Sequence, residues 1–157
     1  MSHTVEVTLS NQLSDGLAAN PNCSMNVCNG SLHLRAGSVA WDPCNVDSCT
    51  SKPGNAGIYQ SGASTSSIEG VVAYTLPGSS KSMLVIYFSN IKCRLLVLPD
   101  STSITADTID RVEKEDRRTA EGTVVLPGMS IGWEAKAESS LIGTSTQYIV
   151  TVRGVQV

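Results

Sequence analysis

Residues 68–97 read IEGVVAYTLPGSSKSMLVIYFSNIKCRLLV, and this stretch decides the fold. It contains two apolar runs rich in β-branched and aromatic residues, on either side of a turn that begins Pro77-Gly78. Because proline presets φ and glycine tolerates positive φ, the pattern predicts a β-hairpin. We expect its two strands to be the buried central pair of a sheet.

The second strand of this hairpin indicates how the sheet is covered. Met83–Phe88 is a run of six consecutive apolar residues. Such a run is too short for a typical helix and too apolar for a strand with one face in water. It predicts a strand covered on both faces, which a sandwich or a barrel would provide.

Alternation of apolar and polar residues predicts further strands. In Thr4–Leu9, the side chains of Val5, Val7 and Leu9 fall on one face, as in a half-buried strand. Other strand patterns lie in Ser31–Trp41, Thr123–Leu126, Met129–Ala137 and Tyr148–Val157. Roughly eight to ten strands in a turn-rich order predict an all-β fold, a single antiparallel β-sandwich that forms one domain over residues 1–157.

One segment has the pattern of a helix. Ile104–Arg118 places Ile109 and Val112 three residues apart, with acidic residues early and Arg117 late, which suits the helix dipole. Its acidic and basic side chains interleave at helical spacing, which indicates a solvated helix face rather than a site. We expect one short, largely exposed helix near 104–118, resting on the sandwich.

Composition excludes several classes of protein. The chain has 157 residues, a formal net charge of -3 and a pI near 5.3, whereas nucleic-acid binders usually carry a basic face. We therefore expect no nucleic-acid partner. No apolar run reaches the roughly 18 residues that a membrane-spanning helix needs. The first residues also lack the pattern of a signal peptide, so we expect a soluble chain.

Four of the five cysteines are clustered as Cys23-x4-Cys28-x15-Cys44-x4-Cys49. The spacing is symmetric, so nested bridges from Cys23 to Cys49 and from Cys28 to Cys44 would join two passing strands, although four cysteines allow three connectivities. Disulfides would place the protein in an oxidising compartment, and we expect it to be secreted or extracellular. A four-thiolate zinc site is the alternative, for which x2 spacing is more usual than x4.

The sequence offers little catalytic chemistry. His3 lies at the terminus and His33 lies in an alternating strand, and neither has the spacing of a metal ligand or a triad. Cys93 lies in an apolar strand, as an unpaired core cysteine does. The phosphate-binding loop and the His-Glu-x-x-His motif do not occur. We expect a protein that is not an enzyme, with no cofactor and no metal.

The central hairpin resembles that of a known family. Gly70–Leu76 (GVVAYTL), a polar turn and Leu84–Ser89 (LVIYFS) are similar to a segment of actinoporin-type cytolysins, in which a Gly-Val-x-Ala-Tyr strand precedes an apolar strand ending in Phe-Ser. The resemblance implies a β-sandwich flanked by helices that binds the phosphocholine headgroup of sphingomyelin. Fungal fruit-body lectins share that sandwich and bind sugars instead.

The chain departs from that family at three places. Ser89 is followed directly by Asn90–Cys93 and a strand, where the family has a proline and an aromatic-rich loop. Ile104–Arg118 contains no aromatic residue, where the family's helix carries tyrosines that cage choline. The chain starts in a strand, where the family has a pore-forming helix. Of the family's site only Ser89 carries over by position, and we expect no pore formation by the usual route.

Two classes of function follow. The first is a non-enzymatic recognition protein of the actinoporin-like and lectin type, which binds a membrane lipid headgroup or a carbohydrate at cell surfaces in a cytolysin-like, defence or toxin role. The second is a small secreted, disulfide-stapled protein that acts in protein interaction, virulence or structure. A protein of the first class could also contact a membrane peripherally or form a homo-oligomer.

A ligand site of the first class would be a concave surface with an aromatic platform, because sugars stack on aromatic faces. A flat apolar patch would favour the second class. The candidate ligand-binding residues are Trp41, Tyr59, Tyr74, Ser89 and Trp133.

Overall fold

The computed structural model describes residues 2–12, 31–34, 39–40, 54–63, 69–76, 81–89, 91–126, 129–142 and 145–155. Within these ranges the chain forms strands and one short helix. The strands are β1 (Ser2–Gln12), β2 (Ser31–Leu34), β3 (Val39–Ala40), β4 (Gly54–Ala63), β5 (Glu69–Thr75), β6 (Ser82–Ser89), β7 (Cys93–Pro99), β8 (Thr119–Leu126), β9 (Met129–Ile142) and β10 (Ser145–Val155). The helix, α1, is Ala106–Glu113.

The strands form two sheets, which confirms the predicted all-β sandwich. The larger sheet has the order β3-β4-β1-β10-β9-β8, and the smaller has the order β2-β5-β6-β7. The predicted hairpin, β5 and β6, is the central pair of the smaller sheet. Pairing is antiparallel except between β1 and β10, which run parallel. Parallel neighbours need a long crossover, and here the chain between β1 and β10 provides it.

The main core lies between the two sheets. It buries the inward side chains of β1, β9 and β10 against those of β5, β6 and β7. Its largest buried side chains include Trp133, Tyr74 and Phe88. Burial of this apolar surface is the main force that holds the sheets together.

Strand β6 is covered on both faces, as its apolar run predicts. Leu84, Ile86 and Phe88 belong to the core between the sheets. The alternate residues Val85 and Tyr87 belong to a second apolar cluster, which includes Ile109 and Val112 of α1. The second cover is therefore the helix.

Helix α1 is shorter than the predicted segment at both ends. It begins after Thr105, whose N–H donates to the Thr108 hydroxyl at 3.0 Å. Beyond the helix the chain turns to bridge the two sheets, because the Arg117 carbonyl accepts from the Leu95 N–H of β7 at 3.1 Å and the Arg118 carbonyl accepts from the Ala137 N–H of β9 at 2.8 Å.

The outer faces of the two sheets differ. The outer face of the smaller sheet packs against α1. On the larger sheet, Trp133, Ala135 and Ala137 of β9 are buried, whereas Lys136 and Glu138, which alternate with them, are exposed. The alternation predicted for β9 is thus confirmed, and this part of the larger sheet presents polar side chains to solvent.

Candidate functional site

A polar groove lies at the β8 edge of the larger sheet. It has a volume of about 380 Å³, within the range of roughly 300–1,000 Å³ typical of small-molecule sites. Its lining residues are Arg117, Thr119, Ala120, Glu121, Glu134, Ala135 and Lys136. The two alanines are buried, so the side-chain hydrogen-bonding groups of the groove come from its polar and charged residues, with apolar surface between them.

Strand register arranges these side chains in two rows. Thr119 of β8 pairs with Lys136 of β9, and Glu121 pairs with Glu134. Arg117 precedes Thr119 by two residues and lies at the end of the groove that Lys136 occupies. The groove therefore has a cationic end formed by Arg117 and Lys136 and an acidic end formed by the two glutamates.

The charges of the groove are unequally compensated. Arg153 of β10 is opposite Glu134 in register, and its Nε donates to the Glu134 carboxylate at 2.5 Å. The Lys136 Nζ lies 3.7 Å from Oε1 of Glu138, and both side chains are more than two-thirds exposed. Within the described part of the chain, Arg117 and Glu121 form no ion pair.

The backbone beneath the cationic end is fixed to both sheets. Residues 117 and 118 accept hydrogen bonds from β7 and from β9 through their carbonyl groups. The root of the Arg117 side chain is thus held in place although its end is exposed. A held backbone reduces the entropy that is lost when a side chain meets a ligand.

Two of the predicted site residues belong to the core. Tyr74 is 1% exposed and Trp133 is 2% exposed, and both lie in the cluster between the sheets. The Trp133 indole packs against Gly122, where an added Cβ would lie 2.9 Å from Nε1. Neither ring presents a face to solvent, which corrects their assignment as a ligand platform. Burial of these large rings contributes to sheet packing instead.

Ser89 forms the turn between β6 and β7. Its hydroxyl oxygen accepts hydrogen bonds from the N–H groups of Ile91 at 3.2 Å and Lys92 at 3.1 Å. Its carbonyl accepts from the Tyr148 hydroxyl at 2.7 Å. The Ser89 side chain is buried and engaged in this turn, so the structure gives it a structural role. Among the predicted site residues whose side chains the structure describes, Tyr74, Ser89 and Trp133, none lines the groove.

Trp41 and the cysteines at 23, 28, 44 and 49 lie outside the described residues. The backbone of Tyr59 lies in β4 opposite Glu6 of β1. Their assigned roles stay predictions.

Three buried titratable groups are held in their protonated forms. Burial raises the pKa of Cys93 to about 12. Burial also raises the pKa of Tyr148. The pKa of Tyr87 is raised chiefly by burial and, to a smaller extent, by its hydrogen bond to Glu69. The Tyr87 hydroxyl donates to Glu69 at 2.5 Å. A thiol and two phenols protonated at neutral pH act here as packing and hydrogen-bonding groups.

The described residues contain no group of three or more His, Cys, Asp or Glu side chains placed to hold a metal ion. No helix in these ranges is long and apolar enough to cross a membrane. The fold and the groove together define a β-sandwich with a mixed-charge depression at one sheet edge.

Comparisons with known proteins give distant structural likenesses. No protein-family model matches the chain, and no curated protein matches it. Among solved structures, the chain is similar to the wild-type lectin XCL of Xerocomus chrysenteron, with 11% identity and a TM-score of 0.42 over 97% of this chain and 99% of that chain. A form of that lectin with substitutions to methionine gives 12% identity and a TM-score of 0.42 over 97% and 98%. Likenesses this distant do not decide what this chain binds.

Proposed function

We propose that the protein is a non-enzymatic recognition protein that binds a glycan in the groove between β8 and β9. The observation that carries this proposal is the set of donors and acceptors gathered there. Arg117, Thr119 and Lys136 can donate hydrogen bonds, and Glu121 and Glu134 can accept them. Sugar hydroxyl groups both donate and accept, so a glycan can use both kinds of side chain.

The position of the groove supports the same proposal. It lies on a sheet edge whose strands pair in register and whose adjoining loop is hydrogen-bonded to both sheets. A rigid scaffold lowers the ordering cost of binding. Among the described residues, the lining contains no aromatic side chain. The groove therefore offers neither the aromatic cage that usually holds a choline cation nor the stacking platform expected of a sugar site, and a glycan would be held here by hydrogen bonds.

A glycan array tests the proposal directly. We expect the wild-type protein to bind a defined set of glycans and the double variant Thr119→Ala/Lys136→Ala to lose roughly tenfold or more in affinity, since each lost hydrogen bond removes about 0.5–3 kcal/mol. Titration calorimetry with an array hit gives the ratio. Sphingomyelin vesicles, assayed for binding and dye release, form the lipid arm, in which we expect no signal.

The matched control is Lys114→Ala. Lys114 is an exposed lysine at the end of α1 and does not line the groove, so its removal should leave glycan affinity unchanged. An array without hits, or a hit that the double variant binds as tightly as the wild type, would refute the proposed site. Vesicle binding without glycan binding would transfer the proposal to a lipid headgroup.

We also propose that the protein works outside the cell, with its clustered cysteines in two disulfides, on the support of their sequence spacing. Thiol alkylation read by mass spectrometry tests this. At pH 8 we expect no label on the native chain, because Cys93 is buried and its pKa is about 12. Denaturation without reductant should add one label, on Cys93, and reduction should bring the total to all five cysteines.

The zinc alternative gives a different count of labels. Four zinc thiolates would become reactive on denaturation with a chelator and without a reductant, so all five cysteines would then be labelled at that step. That result would reject both the disulfides and the extracellular location. A label on native Cys93 would contradict its burial.

A further inference from the structure

We infer that the glycan unit recognised in the groove carries a carboxylate, as uronic and sialic acids do. This inference rests on the proposed function and adds the chemical class of the ligand. It follows from the ion pairs that the charged side chains form at the cationic end and at the acidic end of the groove.

The cationic end is left largely uncompensated. Within the described residues, the ion-pair partner of Lys136 is the exposed Glu138, whose Oε1 lies 3.7 Å from the lysine Nζ, and exposed pairs of this kind are weak. Arg117 has no ion pair within the described residues. A guanidinium offers two parallel N–H donors that match the two oxygens of a carboxylate, so Arg117 is suited to bind such a group in a bidentate manner.

The acidic end selects against ligands that are anionic throughout. Glu121 and Glu134 are directly opposite in register, an arrangement that is unfavourable for like charges. Arg153 compensates Glu134, whereas Glu121 forms no ion pair with any described residue and its carboxylate can accept hydrogen bonds. A ligand with sugar hydroxyls at this end can donate to Glu121, whereas a second anionic group there would be repelled.

The groove thus matches a sugar unit that has one anionic group and several hydroxyl groups. The unit would bind in one orientation. The carboxylate would lie between Arg117 and Lys136, with the Thr119 hydroxyl as a further donor. The hydroxyl groups would point towards Glu121. A polysulfated chain, with anionic groups at every position, fits this arrangement poorly.

Paired probes isolate the carboxylate. The array carries oligosaccharides that end in a uronic or a sialic acid, each beside its carboxyl-reduced counterpart, in which a primary alcohol replaces the carboxylate. We expect the wild type to bind the acid about ten- to a hundredfold more tightly than the alcohol, the loss typical of a charge-assisted hydrogen bond. Added salt should reduce this preference because the contact is exposed.

Variants then assign the preference to Arg117. Arg117→Gln should remove most of the preference for the acid while binding of the alcohol persists, and Lys114→Gln, outside the groove, should leave the preference intact. Unfolding midpoints verify that both variants are folded, which is expected because the hydrogen bonds of residue 117 are made by its backbone. Equal affinity for acid and alcohol, or a preference that survives Arg117→Gln, would overturn this inference and leave the proposed glycan function standing. Absence of binding to every glycan would overturn both.

Discussion

Replacement of Trp133 by alanine is expected to lower the free energy of unfolding by about 3–5 kcal/mol, the usual cost of removing a large aromatic side chain from a core. The indole is 2% exposed and fills the space between the sheets beside Gly122. A cavity would remain because β8 and β9 are held by their backbone pairing and can close only in part. Typical domains have total stabilities of about 5–15 kcal/mol, so the loss should be plain in urea denaturation followed by far-ultraviolet circular dichroism.

Ile91→Ala is the matched comparison. Ile91 is 80% exposed in the turn between β6 and β7, and its removal should change the free energy of unfolding by no more than about 0.5 kcal/mol. Suppose that Trp133→Ala proves as mild as Ile91→Ala and yet abolishes glycan binding. The indole would then be a ligand platform, and its placement in the core would be incorrect.

The fold was predictable where the signal is local. The apolar run Met83–Phe88, flanked by turn residues, predicts a strand covered twice, and β6 is such a strand. Which elements pack on the two faces of β6 depends on contacts between segments that are far apart in the sequence. The apolar spacing predicts a short helix resting on the sandwich, but it does not predict that this helix covers β6 or that β1 pairs in parallel with β10. Pairings between distant segments depend on the whole chain rather than on its local pattern.

The sequence did not predict the candidate groove, because the predicted ends of the helix and of strand β8 differ from those in the structure. Strand β8 begins at Thr119, whereas the sequence pattern places its start at Thr123, so Thr119 and Glu121 are missed as strand residues. Arg117 falls in the predicted helix, whereas in the structure it lies beyond α1, where residues 117 and 118 together bridge the two sheets. One usable signal was present, because alternation in β9 puts Glu134 and Lys136 on the face opposite Trp133.

The same alternation explains why the predicted aromatic platform is not found among the described residues. Trp133 shares its face of β9 with Ala135 and Ala137, small residues that let the two sheets approach. Large rings between small neighbours are typical of interdigitated cores. Sequence alone gives each tryptophan two roles, in a core or in a site, and only the position of the opposite sheet distinguishes them.

Removal of the Ile109 side chain from α1 tests the helical cover of the smaller sheet. Ile109 is fully buried with Val112 against Val71, Val85 and Tyr87 of the sheet, so Ile109→Ala should cost about 2–5 kcal/mol in urea denaturation. Arg111→Ala is the control, because Arg111 lies on the exposed face of the same helix, and a change within about 0.5 kcal/mol is expected there. Equal effects of the two substitutions would contradict the packing of α1 on the sheet. A large loss of unfolding free energy for Ile109→Ala alone would establish that α1 covers the second face of β6, although the helix has few apolar residues.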